Sequence, residues 1–133
     1  MVVDTSALIA ILQREPERRR FIEVLEGAAS RRMSVASLVE ISIVIESRFG
    51  SEGLRDLDAF LAKANFELIP VDREQGYLAR EAFSRFGKGR HRASLNYGDC
   101  FSYALARSLG EPLLCKGSDF VNTDVMIAVA GTT

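Results

Sequence analysis

Cysteine is scarce in this chain: Cys100 and Cys115 are the only two. They lie in apolar stretches and form no CxxC, a pattern of small buried thiols in a reducing cytosol and not of a disulfide framework. An excess of charge of one sign is also missing. A net charge of -1 excludes a protein that holds nucleic acid by overall charge, so any such contact must come from a local patch. No apolar run approaches the ~20 residues that span a bilayer. The opening MVVDTSALIAIL lacks a basic leader and is interrupted by Asp4, which argues against a signal peptide. The expectation is a cytoplasmic protein with no membrane partner. Histidine is nearly absent too, and the single His91 sits in a loop. What is present is apolar: 47% of 133 residues, enough for one compact domain over residues 1–133 with a real core. There are no internal repeats and no low-complexity segments.

Strands and helices are expected in alternation. Met1–Val3 reads as a short strand, and Thr5 or Ser6 suits the cap of a helix from about Ala7. A charged helix is expected over Pro16–Ala28, a second strand over Met33–Val35, and helices over Ala36–Phe49 and Ser51–Asn65. Phe66–Val71 reads as a third strand, and Asp72 as the cap of a helix running to Phe86. After the loop GKGRHRAS, Asn96 suits the cap of a helix that places Asp99 at its third position and is closed by Gly110. Pro112–Cys115 is a fourth strand candidate and Val125–Val129 a fifth. This order implies an α/β fold, a mostly parallel sheet of about four to five strands covered on both faces. Sites in such sheets form outside the carboxyl ends of the strands.

Against that background Asp4, Glu40, Asp99 and Asp119 stand out. Glu15, Glu74, Glu81 and Glu111 each have a basic residue nearby in sequence and read as solvated ion pairs with Arg14, Arg73, Arg80 and Arg107. Asp4, Glu40 and Asp99 have no Lys or Arg within six positions. Glu40 lies mid-helix, facing Ala36, Ser37, Ile43, Val44 and Ser47, where an unpaired charge is costly. All four acids fall where they can meet at one sheet edge. Two carboxylates about 4 Å apart repel by ~4 kcal/mol at an effective dielectric of 20, so such a gathering needs a cation or protons. An all-oxygen set selects a hard ion, Mg²⁺ or Mn²⁺, over zinc. The chemistry natural to that ion is phosphodiester hydrolysis, which needs no Ser–His or Cys–His nucleophile.

Simpler roles exist for each acid: a strand-end cap for Asp4, a favourable helix N-terminus for Asp99, a distant Arg partner for Glu40, and a turn for Asp119, with which Asp124 competes. The basic run RFGKGRHR precedes the helix that carries Asp99. Its Lys88, Arg90 and Arg92, together with Lys116, are candidates for gripping a nucleic-acid backbone. Arg18, Arg19, Arg20, Arg31 and Arg32 read as surface charge. Tyr97 can stack a base, whereas Tyr103 reads as core. A phospho-receiver domain would want an acidic pair after strand one, and a haloacid-dehalogenase-type phosphatase an Asp-x-Asp there; Asp4-Thr5-Ser6 supplies neither. A catalytically silent RNA-binding module is the remaining alternative.

MVVDTSAL at the start, Glu40 in its apolar helix, NYGDCFSYALA around Asp99 and LLCKGSDFVNTDV near the end occur together and in this order in one family. Over essentially its whole length the chain resembles the PIN-domain ribonucleases, specifically the VapC toxins of bacterial and archaeal toxin–antitoxin pairs. The resemblance implies a PIN-like α/β/α sandwich. It makes Asp4, Glu40 and Asp99 the core metal-site residues and Asp119 the variable fourth acid, with Thr5 or Ser6 in support. It also implies an endoribonuclease dependent on Mg²⁺ or Mn²⁺ that cuts RNA loops and slows translation. A cognate VapB antitoxin and a homodimer are further expectations of the family, and a catalytically silent PIN-like antitoxin-binding module stands beside the silent RNA-binding one as the alternative.

Overall fold

The structure, a computed structural model, describes residues 1–129 of the chain. Four strands form one sheet in the order β3-β2-β1-β4, namely β1 (Val2–Val3), β2 (Arg31–Ser34), β3 (Phe66–Ile69) and β4 (Leu113–Leu114). All three pairings are parallel, with Val2 opposite both Arg32 and Leu113. Such an arrangement requires helical crossovers. They are α1 (Thr5–Leu12) and α2 (Arg18–Gly27) between β1 and β2, α3 (Val35–Lys63) between β2 and β3, and α4 (Arg73–Phe86) and α5 (Tyr97–Leu109) between β3 and β4. The expected fifth strand shrinks to one parallel bridge between Leu113 and Ile127.

Side-chain alternation along the strands divides the interior into two layers. Val3, Met33 and Leu114 join Leu8, Ile11, Phe21, Leu25, Ile41, Leu57 and Leu61 under α1, α2 and α3. Val2 and Leu113 face the other way, into a cluster with Ala82, Phe86, Leu95, Tyr103, Leu105 and Phe120 under α4 and α5. The result is the expected α/β/α sandwich. Burying each Val or Leu side chain in these layers contributes about 1.5–3 kcal/mol.

The two helices expected on either side of Gly50 run together as α3, which continues from Val35 to Lys63 across a kink at that glycine (φ 68°, ψ -161°). A side chain would strain such a backbone, so glycine sets the bend. Gly110 closes α5 in the left-handed conformation (φ 65°), and Asp72 caps α4 by accepting from the Gln75 amide, both as expected.

The ion pairs expected between sequence neighbours give way to others. Glu81 pairs with Arg85, one helical turn on, and Glu15 pairs with the distant Lys116. Glu111 takes the N-terminal amine of Met1 and the guanidinium of Arg32. Two of the arginines assigned to the surface are structural. Arg31 donates to the carbonyls of Leu25, Ala28 and Ala64, tying α2 and the end of α3 to β2, and Arg32 bridges Glu67 and Glu111.

The strand order reverses at β1, which has β2 on one side and β4 on the other. At such a switch point the connections leave in opposite directions and open a crevice at the carboxyl ends of the strands. Asp4 is the first residue beyond β1, at the carboxyl end where such a crevice is expected.

Candidate active site

Asp4 is the N-cap of α1, a role expected of Thr5 or Ser6, and it is 3% exposed. Its Oδ2 accepts from the Ser6 amide at 3.0 Å and the Ser6 hydroxyl at 2.7 Å, and its Oδ1 from the Ser102 hydroxyl at 2.5 Å. Capping and site membership are therefore compatible uses of one carboxylate. Ser102 has a single hydroxyl proton and gives it to Asp4, so Ser37, 3.2 Å away, is the donor in the Ser37–Ser102 bond. The Ser37 carbonyl in turn accepts from the Thr5 hydroxyl at 3.3 Å. This buried chain of hydroxyls links α1, α3 and α5 beneath Asp4. Ser6 extends it to the end of β4 by accepting from the Lys116 amide at 3.0 Å.

Asp99 stands in the first turn of α5 within a reciprocal capping box. Its amide donates to the Asn96 side chain at 2.9 Å, and its Oδ2 accepts from the Asn96 amide at 3.0 Å. Burial pushes its carboxyl up to about 6, against the Asn96 hydrogen bond and with help from the charges of Asp4, Asp119 and Glu40. Glu40 is half-buried, and burial likewise raises its carboxyl; the Thr5 hydroxyl lowers it and the charge of Asp4 raises it. Glu40 reaches α5 because residue 98 has no side chain. A Cβ on Gly98 would stand 2.7 Å from Glu40 Cδ and 2.8 Å from Oε1.

Asp119 is exposed, at the start of the short 3-10 helix Phe120–Asn122, and makes no side-chain capping bond. Its charge bears on Asp99. The Cys115 thiol, just past β4, registers the same field: it is pushed up to about 12 by burial and by Asp4, Asp99 and Asp119. The structure thus gathers Asp4, Glu40, Asp99 and Asp119 from four separate elements at one sheet edge. Asp124 is engaged elsewhere, by Tyr103, Arg85 and Arg107.

Among the basic candidates, Lys88, Arg90 and Arg92 are exposed on the loop between α4 and α5, the segment leading into Asp99. That loop is built: the Lys88 amide donates to the Leu95 carbonyl at 2.8 Å, Ala93 and Leu95 are buried, and Arg90 lies over the Phe83 ring. Lys116 differs, because its ammonium is held by Glu15 at 2.6 Å and Glu17 at 3.5 Å. Arg85 is likewise shared between Glu81 and Asp124. Tyr97 is 79% exposed, set edge-on against Phe101.

Ser37, Ser102 and Gly98 are the site residues that sequence reasoning missed. A signal existed for Ser102, which lies three residues after Asp99 and so on its helix face. None existed for Gly98, whose value comes from a residue 58 positions away in α3.

The donor set suits a hard divalent cation: four carboxylates and no competing thiolate, since burial keeps the Cys115 thiol protonated. Among the described residues no group of three or more His, Cys, Asp or Glu side chains stands close enough together to hold a metal ion without rearranging.

A model of the PIN domain family matches residues 1–126. Ribonuclease VapC of Mycolicibacterium smegmatis is 57% identical over 129 residues, covering 94% of this chain and 97% of the relative. Ribonuclease VapC30 of Mycobacterium tuberculosis is 53% identical over 125 residues, covering 94% and 95%. Among solved structures, Mycobacterium tuberculosis VapC20, described as a sarcin-ricin loop cleaving toxin, superimposes with a TM-score of 0.78 at 17% identity over 96% of this chain and 98% of that one. VapBC2 from Rickettsia felis, bound to a promoter DNA fragment, gives 0.77 at 15% over 95% and 94%. At these identities the structural matches show the fold. Fold and family match together define a PIN-domain protein. Within that class, the chain belongs to the VapC ribonucleases, the toxins of toxin–antitoxin pairs.

Proposed function

We propose that Asp4, Glu40 and Asp99 hold Mg²⁺, for which Mn²⁺ can substitute, with Asp119 as fourth acid, and that the chain cleaves RNA phosphodiester bonds there. As a VapC ribonuclease it is a metal-dependent toxin nuclease; the identity of the ion and the roles of these residues are our reading. One observation carries it: α5 holds a carboxyl raised to about 6 amid three further acids, an arrangement that raises the energy of the metal-free protein and is relieved by a cation.

Each side chain has a task. Ser6 and Ser102 fix both oxygens of Asp4, the Asn96 amide fixes one oxygen of Asp99, and Gly98 makes room for Glu40. Asp99, raised to about 6 in the metal-free protein, must give up its proton to bind a cation, so cation binding should weaken as pH falls below that value. A divalent ion, when bound, supplies activation of a water and neutralisation of charge on the phosphate and the leaving oxygen. Lys88, Arg90 and Arg92 would contact the RNA backbone beside the acids, with Lys116 contributing less because Glu15 and Glu17 share its charge.

Cleavage inhibits translation and growth in this reading, and a cognate VapB antitoxin neutralises the toxin. A further solved structure with this fold, from Klebsiella pneumoniae, is itself described as a toxin–antitoxin complex. A homodimer in the cytoplasm completes the proposal; among the described residues no helix is long and apolar enough to cross a membrane. The test is cleavage of labelled total cellular RNA by purified protein with Mg²⁺, with EDTA, and with Asp99→Asn. Discrete fragments that require both metal and Asp99 are expected. RNA binding without cleavage under any condition would favour a silent binding module instead.

A further inference from the structure

Asp119 has nothing holding its own side chain. It is exposed, makes no capping bond and, among the described residues, has no ion-pair partner. What places it is the segment it belongs to. The Asn122 amide group donates to the Ser118 carbonyl at 3.0 Å, the Thr123 hydroxyl to the Phe120 carbonyl at 2.7 Å, and the Val125 amide to the Thr123 hydroxyl at 3.2 Å. These bonds close the segment on itself, and Phe120 and Val125 plug it into the apolar layer under α4 and α5.

Its polar tie to those helices is Asp124. The Tyr103 hydroxyl donates to Oδ1 at 2.6 Å, while Arg85 of α4 and Arg107 of α5 approach Oδ2 at 3.4 Å and 3.6 Å. Tyr103 follows Asp99 by four residues, one helical turn along α5. The helix that carries Asp99 therefore also carries the anchor of the Asp119 segment. Both Asp124 oxygens are committed, so turning toward a cation would leave the Tyr103 hydroxyl without its acceptor and give up the pairing with Arg107 and Arg85. Burial raises the Asp124 carboxyl, but the Tyr103 hydrogen bond, Arg107 and Arg85 outweigh it and hold the group below its ordinary value.

We propose that Asp124 is a positioning residue: gripped by Tyr103, Arg85 and Arg107, it clamps segment 118–125 to α5 so that Asp119 stands beside Asp99, and it is not itself the fourth acid. This rests on the reading of Asp119 as a member of the metal site. The clamp acts through backbone placement and needs no contact between Asp124 and the ion.

The experiment is Mn²⁺ binding by calorimetry, with amide hydrogen exchange at Asn122 and Thr123, on the purified full chain and its Asp119→Asn, Asp124→Asn, Tyr103→Phe and Asp119→Asn/Asp124→Asn variants. Asp124→Asn should weaken Mn²⁺ binding roughly tenfold, as loss of an outer support commonly does, and Asp119→Asn should weaken it at least as much. The double variant should be no weaker than Asp119→Asn, and Asp124→Asn and Tyr103→Phe should both speed exchange. Tyr103→Phe removes only a hydroxyl and keeps the test informative if Asp124→Asn folds poorly. Weakening by Asp119→Asn alone, with Asp124→Asn and Tyr103→Phe binding Mn²⁺ like the parent, overturns the clamp. A double variant weaker than Asp119→Asn by the full effect of Asp124→Asn also overturns it, because Asp124 then acts independently. Unchanged binding in Asp119→Asn overturns the reading of Asp119 and the clamp's purpose with it.

Discussion

The Glu40 carboxylate occupies the volume that a side chain at Gly98 would fill, with Cδ 2.7 Å and Oε1 2.8 Å from the position of a Cβ. Gly98→Ala is therefore expected to separate activity from stability. Alanine suits the first turn of α5 better than glycine by up to about 1 kcal/mol, and the carboxylate at the end of a flexible side chain can swing away. RNA cleavage should fall roughly tenfold or more, while thermal melting shows a midpoint equal to or above that of the parent. A fully active Gly98→Ala protein would show that Glu40 does not need this position.

Ser102→Ala removes the donor to Asp4 Oδ1 and the acceptor of the Ser37 hydroxyl at a site 1% exposed. Unlike Gly98→Ala, it should reduce both properties. A stability loss of about 1–2 kcal/mol is expected from unpairing a bond to a charged group, measured by urea unfolding, together with weaker Mn²⁺ binding. Unchanged Mn²⁺ binding would show that Asp4 does not depend on Ser102 for its orientation.

Asp99 supplies a pH signature. Its folded carboxyl is raised from 3.8 to about 6, so the folded chain binds this proton more tightly than the unfolded chain. The contribution to stability is fully present below about pH 4 and is lost as pH rises through about 6. In EDTA at pH 7.5, Asp99→Asn should melt above the parent by roughly 1 kcal/mol, or about 3 °C, once solvent screening is allowed for. The gap should narrow on acidification to pH 5. Saturating Mg²⁺ should reverse the order at pH 7.5. A gap independent of pH between 4 and 7.5 would contradict the burial of Asp99 as its cause.

The basic candidates should also part company. Arg90→Ala and Arg92→Ala should each lower the salt dependence of RNA binding by about 0.7 in log–log slope, the value for one lost phosphate contact on a single strand. Lys116→Ala should change that slope little, since Glu15 and Glu17 hold its ammonium. Filter binding over a salt series decides. Slopes for Arg90→Ala and Arg92→Ala equal to the parent's would remove the loop between α4 and α5 from the RNA path.

Much of the architecture was legible in one dimension because its signals are local. Alternating apolar segments and caps located β1, α4 and α5, and the capping residues Asp72 and Asn96 and the closing Gly110 were read correctly because each acts on backbone within one turn. The expected fifth strand is not formed: Val125–Val129 is apolar enough for a strand, yet its pairing amounts to one isolated bridge, Ile127 with Leu113. Apolar content does not specify pairing, which requires a neighbour in register.

What the sequence determined by itself is the order of elements and the isolation of Asp4, Glu40 and Asp99 from any local positive charge. Both follow from neighbours along the chain. Only the tertiary structure decided which groups meet across it. It paired Glu15 with Lys116 and Glu111 with Arg32, and it placed Ser102 on Asp4 across 98 residues. It gave Asp124 to Tyr103 and left the charge of Asp119 to bear on Asp99. These partners are fixed by the parallel crossovers and the reversal of strand order at β1, which bring distant segments to one edge without leaving any periodic mark in the sequence.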